Sequence, residues 1–131
     1  MAASSRSRRD ERGAAVTDFV LVSALLVLVF VVVLQVGLAL WTRNTLVAAA
    51  QEGARVAARV DATPAMGIAR TRELILAQLS PRYAADVTIG EASAGGARVA
   101  VVTIQAPVPV LGPLGPDRGI TARGRAYLEA Q

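Results

Sequence analysis

The sequence predicts an α+β fold, in which one long N-terminal helix crosses a membrane and leads to a small antiparallel sheet of three strands. Three features predict it: an uncharged run of 23 residues at 19–41, a helical stripe of small residues after it, and alternating Val-rich segments near the C-terminus. The 131 residues suffice for one membrane segment and one small domain. We expect a basic leader at 1–13, a transmembrane and amphipathic helix at 14–60, and a small α+β domain at 61–131.

The uncharged run is long enough to span a bilayer. At about 1.5 Å of rise per residue it reaches about 35 Å, against a hydrocarbon core of about 30 Å. A core helix of a soluble protein is seldom apolar on every face for so long. A cleaved secretory signal has an apolar stretch of only about 7–15 residues. The run is therefore predicted to stay in the mature protein as a single-pass transmembrane helix.

The charges around this run predict its orientation. The formal net charge is +4 and all fourteen basic residues are Arg, with Arg6, Arg8, Arg9 and Arg12 before the run and Arg43 just after it. This asymmetry places the N-terminus in the cytoplasm and the C-terminal domain outside the cytoplasmic membrane. Because acidic residues are interleaved with the arginines, nucleic acid is not an expected partner.

The composition excludes several kinds of site. The chain has no Cys and no His, so disulfides, thiol nucleophiles, His-based catalysis and Cys or His metal sites are excluded. The scattered carboxylates show no spacing that is typical of an active site. We therefore expect neither enzymatic activity nor a cofactor nor a metal ion.

Helical patterning continues beyond the membrane run. A disordered leader is expected over residues 1–12, followed by one continuous helix over 19–60, because no proline interrupts it. Pro64 and Gly67 are interpreted as marking the end of this helix, and a second helix is predicted over 65–79.

The last third of the sequence predicts the sheet. Strands are expected at 86–91 and 98–105, joined by a turn at Ala94-Gly95-Gly96. A stiff loop rich in Pro and Gly follows, and residues 120–128 can close the sheet as a third strand.

The helix also carries candidate packing residues. Gln35 and Gly53 are eighteen positions apart, close to five helical turns, so they lie on one face. We expect this face to contact a partner, together with outer residues of the small-residue stripe: Leu46, Ala49, Ala50, Ala57 and Val60. Gly53 also suits close packing against the chain's own sheet. Gly37 points elsewhere and is assigned a second helix contact, since Gly allows close approach in lipid.

The junction before the membrane run carries the most specific functional signal. A basic leader ends at Gly13, small residues follow from Ala14, and an acid, Asp18, comes directly before Phe19. A carboxylate at the head of a transmembrane helix needs a reason. Cleavage after Gly13 supplies one, because Asp18 then lies one helical turn from the new ammonium of Ala14 and can also pair with the ammonium of a neighbouring subunit. The alternatives are an ordinary helix-start glycine and acid.

This junction resembles the class III signals of type IV pilins and pseudopilins. The closer resemblance is to the TadE-like family of pilin-like proteins in tight-adherence (Flp) pilus systems. It is carried by Gly13-Ala14-Ala15, Asp18-Phe19, Gln35-Val36-Gly37 and Gln51-Glu52-Gly53-Ala54-Arg55. Asp18 and Gln35 stand where the family usually has Glu.

The resemblance implies a structural or assembly subunit of such a pilus or of a related secretion machine. It further implies processing by a prepilin peptidase and contacts with other pilin-like subunits or pilus assembly membrane proteins. The alternative is an uncleaved, signal-anchored membrane protein whose outer domain is a binding module.

Overall fold

The computed structural model describes residues 4–109 and 119–129, and the chain forms two compact units, residues 1–36 and 37–131. Helices and an antiparallel sheet make the fold α+β, which confirms the predicted class. The elements are α1 (Ser4–Ala57), α2 (Pro64–Gln78), a 3-10 turn (Pro81–Ala84), β1 (Asp86–Ala94), β2 (Ala97–Ala106) and β3 (Ile120–Tyr127).

Helix α1 begins earlier and ends earlier than the sequence predicts. It begins at Ser4, so the expectation of a disordered leader over 1–12 is wrong for the described part of that segment. Arg, Ala and Glu favour helix, and the first proline of the chain is Pro64. The helix ends at Ala57 rather than Val60, and just after its end the Arg59 N–H donates to the Val56 carbonyl oxygen at 3.4 Å, a tighter turn than the α-helical one. Further on, the residue before Pro64 is forced out of the helical region. That residue, Thr63, is extended, with φ −104° and ψ 154°.

Helix α2 lies within one residue of its predicted bounds. Pro64 is its first residue, where the missing N–H of proline leaves no hydrogen bond unmade. Gly67 lies inside α2 and is buried. The interpretation of Gly67 as the end of the preceding helix is therefore wrong; this glycine has a packing role.

The sheet has the strand order β1-β2-β3, and both pairings are antiparallel. Ala94 pairs with Ala97 across a two-residue turn in which Gly95 and Gly96 have φ of 59° and 84°. Two positive φ values are typical of the type I′ turn, whose twist suits a hairpin. β1 runs three residues past its predicted end at Glu91, because its last residues pair with β2 although they lack apolar alternation. Residues 110–118 of the predicted stiff loop lie outside the described residues.

The core lies between one face of the sheet and the two helices of the C-terminal unit. The outer part of α1 contributes mainly small side chains, and α2 contributes Ile75. The buried sheet positions alternate along β2 at Ala100, Val102, Ile104 and Ala106. Small residues on α1 let the helix approach the sheet closely, which gives each remaining large side chain many contacts.

Candidate functional site

The first part of α1 exposes a continuous apolar surface. Large side chains from Val16 to Leu40 lie largely open, and Phe19, at 72% exposure, is the most exposed of them. Among the described residues, one helix is long and apolar enough to cross a membrane; its mean hydropathy reaches 3.1, and none of that window is buried inside the protein. Soluble proteins rarely leave so much apolar surface in water. The exposed apolar helix therefore indicates a single-pass membrane protein.

The residues of the predicted processing junction all lie on this helix and are exposed. Gly13, Ala14, Asp18 and Phe19 have helical backbone in the first half of α1. The Thr17 hydroxyl donates a hydrogen bond of 3.0 Å to the Gly13 carbonyl oxygen. The carbonyl of the bond expected to be cut is thus held within a helical turn.

Gln35 and Gly37 lie near the end of the apolar run. Gln35 is half-buried and Gly37 is exposed, with no atom within 4 Å of the position that a Cβ would occupy. This open space is compatible with the close approach of another helix at Gly37. The packing role of both residues stays a prediction.

Gly53 packs on a helix, and that helix is the chain's own α2. A Cβ at Gly53 would overlap the Thr71 hydroxyl and lie 2.8 Å from the Gly67 carbonyl oxygen. Thr71 is fully buried, and its hydroxyl donates to the same Gly67 oxygen at 2.8 Å. A Cβ at Gly67 would in turn lie 2.7 Å from the Ala57 Cβ. The two glycines therefore allow α1 and α2 to cross almost backbone to backbone.

This packing corrects the expectation of a partner-facing stripe outside the membrane. Leu46 and Ala50 have no exposed surface, and Ala49 and Ala57 are also buried in the C-terminal unit. The outer half of the stripe is therefore filled by the chain's own α2 and sheet and is not available to a partner. Val60 lies beyond the end of α1 and is exposed.

The sequence reasoning missed a second close contact, between α1 and β3. A Cβ at Gly124 would overlap the Ala50 carbonyl group. Beside it, the Gln51 side chain donates 2.9 Å to the Arg125 carbonyl oxygen and accepts 3.1 Å from the Arg125 N–H. Because β3 is an edge strand, Gln51 satisfies backbone groups that no neighbouring strand pairs. A glycine inside the predicted third strand was the available signal.

The surface of the C-terminal unit also carries an ion pair and an open groove. Glu52 and Arg55 form an exposed ion pair of 3.7 Å, which contributes little to stability. Across residues 4–109 and 119–129, no three His, Cys, Asp or Glu side chains converge on a possible metal site. An open groove of about 430 Å³ lies between α1 and α2; its lining includes Asn44, Thr45 and Gln78.

The fold and the exposed helix define the class of protein: a membrane-anchored helix with a small α+β unit at its end. Residues 13–55, about a third of the chain, match the family model described as TadE-like protein. The resemblance to the TadE-like family is thereby confirmed over this segment, and it indicates a pilus-related membrane component. No curated protein and no solved structure matches the chain.

Proposed function

We propose that this chain is a minor pilin or pseudopilin, a structural or assembly component of a tight-adherence pilus or a related secretion machine. The observation that carries the proposal is that the family match begins at Gly13, where a basic leader meets an exposed apolar helix. In this role the N-terminus is cytoplasmic, and a prepilin peptidase removes residues 1–13. Other pilin-like subunits or assembly proteins then contact the helix.

Cleavage would change the environment of Asp18 without moving it along the helix. In the full-length chain Asp18 lies well inside α1, which begins at Ser4. After removal of residues 1–13 it becomes the fifth residue, one turn from the new ammonium. A carboxylate near a helix N-terminus gains about 0.3–1 kcal/mol from the helix dipole. The acid therefore stabilises the processed helix more than the precursor, whether its ionic partner is its own ammonium or a neighbour's.

The uncleaved alternative is favoured by one specific observation. The Gly13 carbonyl accepts from Thr17 within a helical turn, whereas a peptidase needs a locally unwound segment to reach the bond. Glycine reduces this obstacle, because it lowers helix stability by about 1 kcal/mol relative to alanine. If the turn stays closed, the protein is a signal-anchored module whose outer unit binds a partner.

Processing distinguishes the two functions. Expressed with a prepilin peptidase, the wild-type chain should lose the mass of residues 1–13 and start at Ala14 on N-terminal sequencing. Gly13→Leu should stay full-length. Gly37→Leu is the matched control, because it makes the same change at an open position of the same helix, and it should be processed normally. A full-length wild-type protein in the presence of active peptidase would contradict the proposal and support the signal-anchored module.

A further inference from the structure

The C-terminal unit has one end that lies at the level where the apolar run leaves the membrane. α2 runs antiparallel to α1, because Gly67 lies beside Ala57 and Gly53 lies beside Thr71. Near the C-terminal end of α2, Gln78 lines the groove between the two helices together with Asn44 of α1. Each step forward in α2 thus corresponds to a similar step back in α1. The 3-10 turn Pro81–Ala84 follows and leads into β1. Asp86, the first residue of β1, pairs with Gln105, which pairs with Thr121, so the turn lies at the end of the sheet where β3 begins.

The contacts of β3 with α1 give the level of this end along α1. Gly124 lies against Ala50, and five residues later the Glu129 N–H donates 3.1 Å to the Ala58 carbonyl oxygen. β3 therefore runs in the direction of α1 and advances five residues for about eight helical residues. Four residues before Gly124, Ile120 lies at the level of about residue 44. The start of β3 and the 3-10 turn thus share the end of the unit where the apolar run terminates.

Arg82 is held at this end by an aromatic side chain. Its guanidinium lies 4.9 Å from the centre of the Tyr83 ring, and its Nη2 donates 3.0 Å to the Tyr83 hydroxyl. Tyr83 is itself buried in the core, so the guanidinium has a fixed base while the rest of Arg82 stays exposed. A guanidinium fixed in this way still has further N–H donors, in the planar arrangement that suits phosphate oxygens.

Other side chains at this end are typical of a membrane interface. Trp41, which is the single Trp of the chain, is 51% exposed, and Arg43 follows it on the exposed surface. A carboxylate, that of Asp86, also lies at this end, because Asp86 is level with Thr121 across the sheet. It lies on the sheet face opposite the core, since its neighbour Val87 is buried. The surface nearest to the bilayer therefore carries cations beside an interfacial aromatic residue.

We propose that this end of the C-terminal unit binds the phosphate headgroups of membrane phospholipids through Arg82 and Arg43, with a preference for anionic lipids. The unit then rests on the bilayer surface instead of standing away from it. This inference depends on insertion of the apolar run and not on cleavage or pilus assembly, so reconstituted full-length protein tests it separately from the proposed function.

The proposed position of this end on the bilayer surface is tested with single cysteines, which the Cys-free chain permits. Ser80→Cys lies next to the 3-10 turn, and Ser93→Cys is the matched control at the opposite end of the sheet; both serines are exposed. Each is labelled with a fluorophore in phosphatidylcholine vesicles that contain a headgroup nitroxide lipid. The label at 80 should be quenched severalfold more than the label at 93. Equal quenching, or quenching at 80 that disappears as the protein-to-lipid ratio rises, would overturn the proposal; the second result would indicate another copy on this surface.

The proposed binding of headgroup phosphates is tested with variants that each remove one positive charge, in nanodiscs of phosphatidylcholine and phosphatidylglycerol. Arg82→Gln should lower the preference for bound phosphatidylglycerol, measured by native mass spectrometry, by about fivefold, which corresponds to about 1 kcal/mol for one basic residue at an anionic surface. Arg43→Gln, which leaves the Tyr83 contact intact, should act in the same direction. Arg72→Gln removes an exposed charge on α2, ten residues before Arg82 in the chain, and should have no effect. Equal loss in Arg72→Gln, or no loss in Arg43→Gln and Arg82→Gln, would refute the headgroup site.

Discussion

Gly124→Ala should strongly destabilise the C-terminal unit. The new methyl group would overlap the Ala50 carbonyl group and the Gln51 backbone nitrogen, and neither can rotate away as a side chain could. β3 must therefore move off α1. Overpacking of this kind costs about 1–3 kcal/mol. The two hydrogen bonds between Gln51 and Arg125, at 2.9 and 3.1 Å, would be stretched as well, at about 0.5–1.5 kcal/mol each. The expected loss is about 2–6 kcal/mol.

Pulse proteolysis of the full-length protein in detergent, over a urea series, measures this loss. A decrease of this size corresponds to a fall in melting temperature of about 10–40 °C for a unit of this length. Gly90→Ala is the matched control: it makes the same substitution in the same sheet, at an exposed position with no atom within 4 Å of the new Cβ. Its effect should stay within about 1 kcal/mol. Equal urea midpoints for the two variants would show that β3 does not lie directly on the α1 backbone.

Gln51→Ala should destabilise the unit by about 1–3 kcal/mol in the same assay, because the edge-strand groups of β3 lose their partner; an effect no larger than that of Gln78→Ala, at an exposed position, would argue against this role. Gly53→Ala should cost about 1–2 kcal/mol, and less in a Thr71→Ala background that removes the overlapping hydroxyl; an unchanged cost would remove Thr71 as the cause. Leu46→Cys should resist thiol reagents and Ala48→Cys should react quickly, since only the first position is buried; fast labelling of both would restore the partner-facing stripe. A periplasm-active reporter fused after Gln131 should be active, and activity only from a cytoplasm-active reporter would reverse the predicted orientation.

Local sequence patterns predicted nearly all of the helices and strands of the fold. The uncharged run, the alternation along β1 and β2, and the Gly95-Gly96 pair each specify a structure through their own residues. A continuous apolar helix needs lipid, a period of two needs a half-buried strand, and a double glycine permits the positive φ values of a tight turn. The ends of elements were predicted less accurately, as the Ser4 start of α1 shows, because Arg- and Ala-rich sequence is compatible with helix as well as with disorder.

By itself, the sequence determined that this protein has a membrane-spanning helix, a TadE-like junction at Gly13 and a small sheet. It also indicated that Gly53 lies on a face suited to close packing, but a stripe of small residues does not identify its partner. Only the tertiary structure decided that α2 and β3 fill that face, through Gly67 and Gly124. It alone revealed that Gln51 bonds to Arg125, 74 positions away. The physical reason is that a helical face specifies how closely a neighbour can approach, whereas chain reversal and strand order determine which neighbour arrives there.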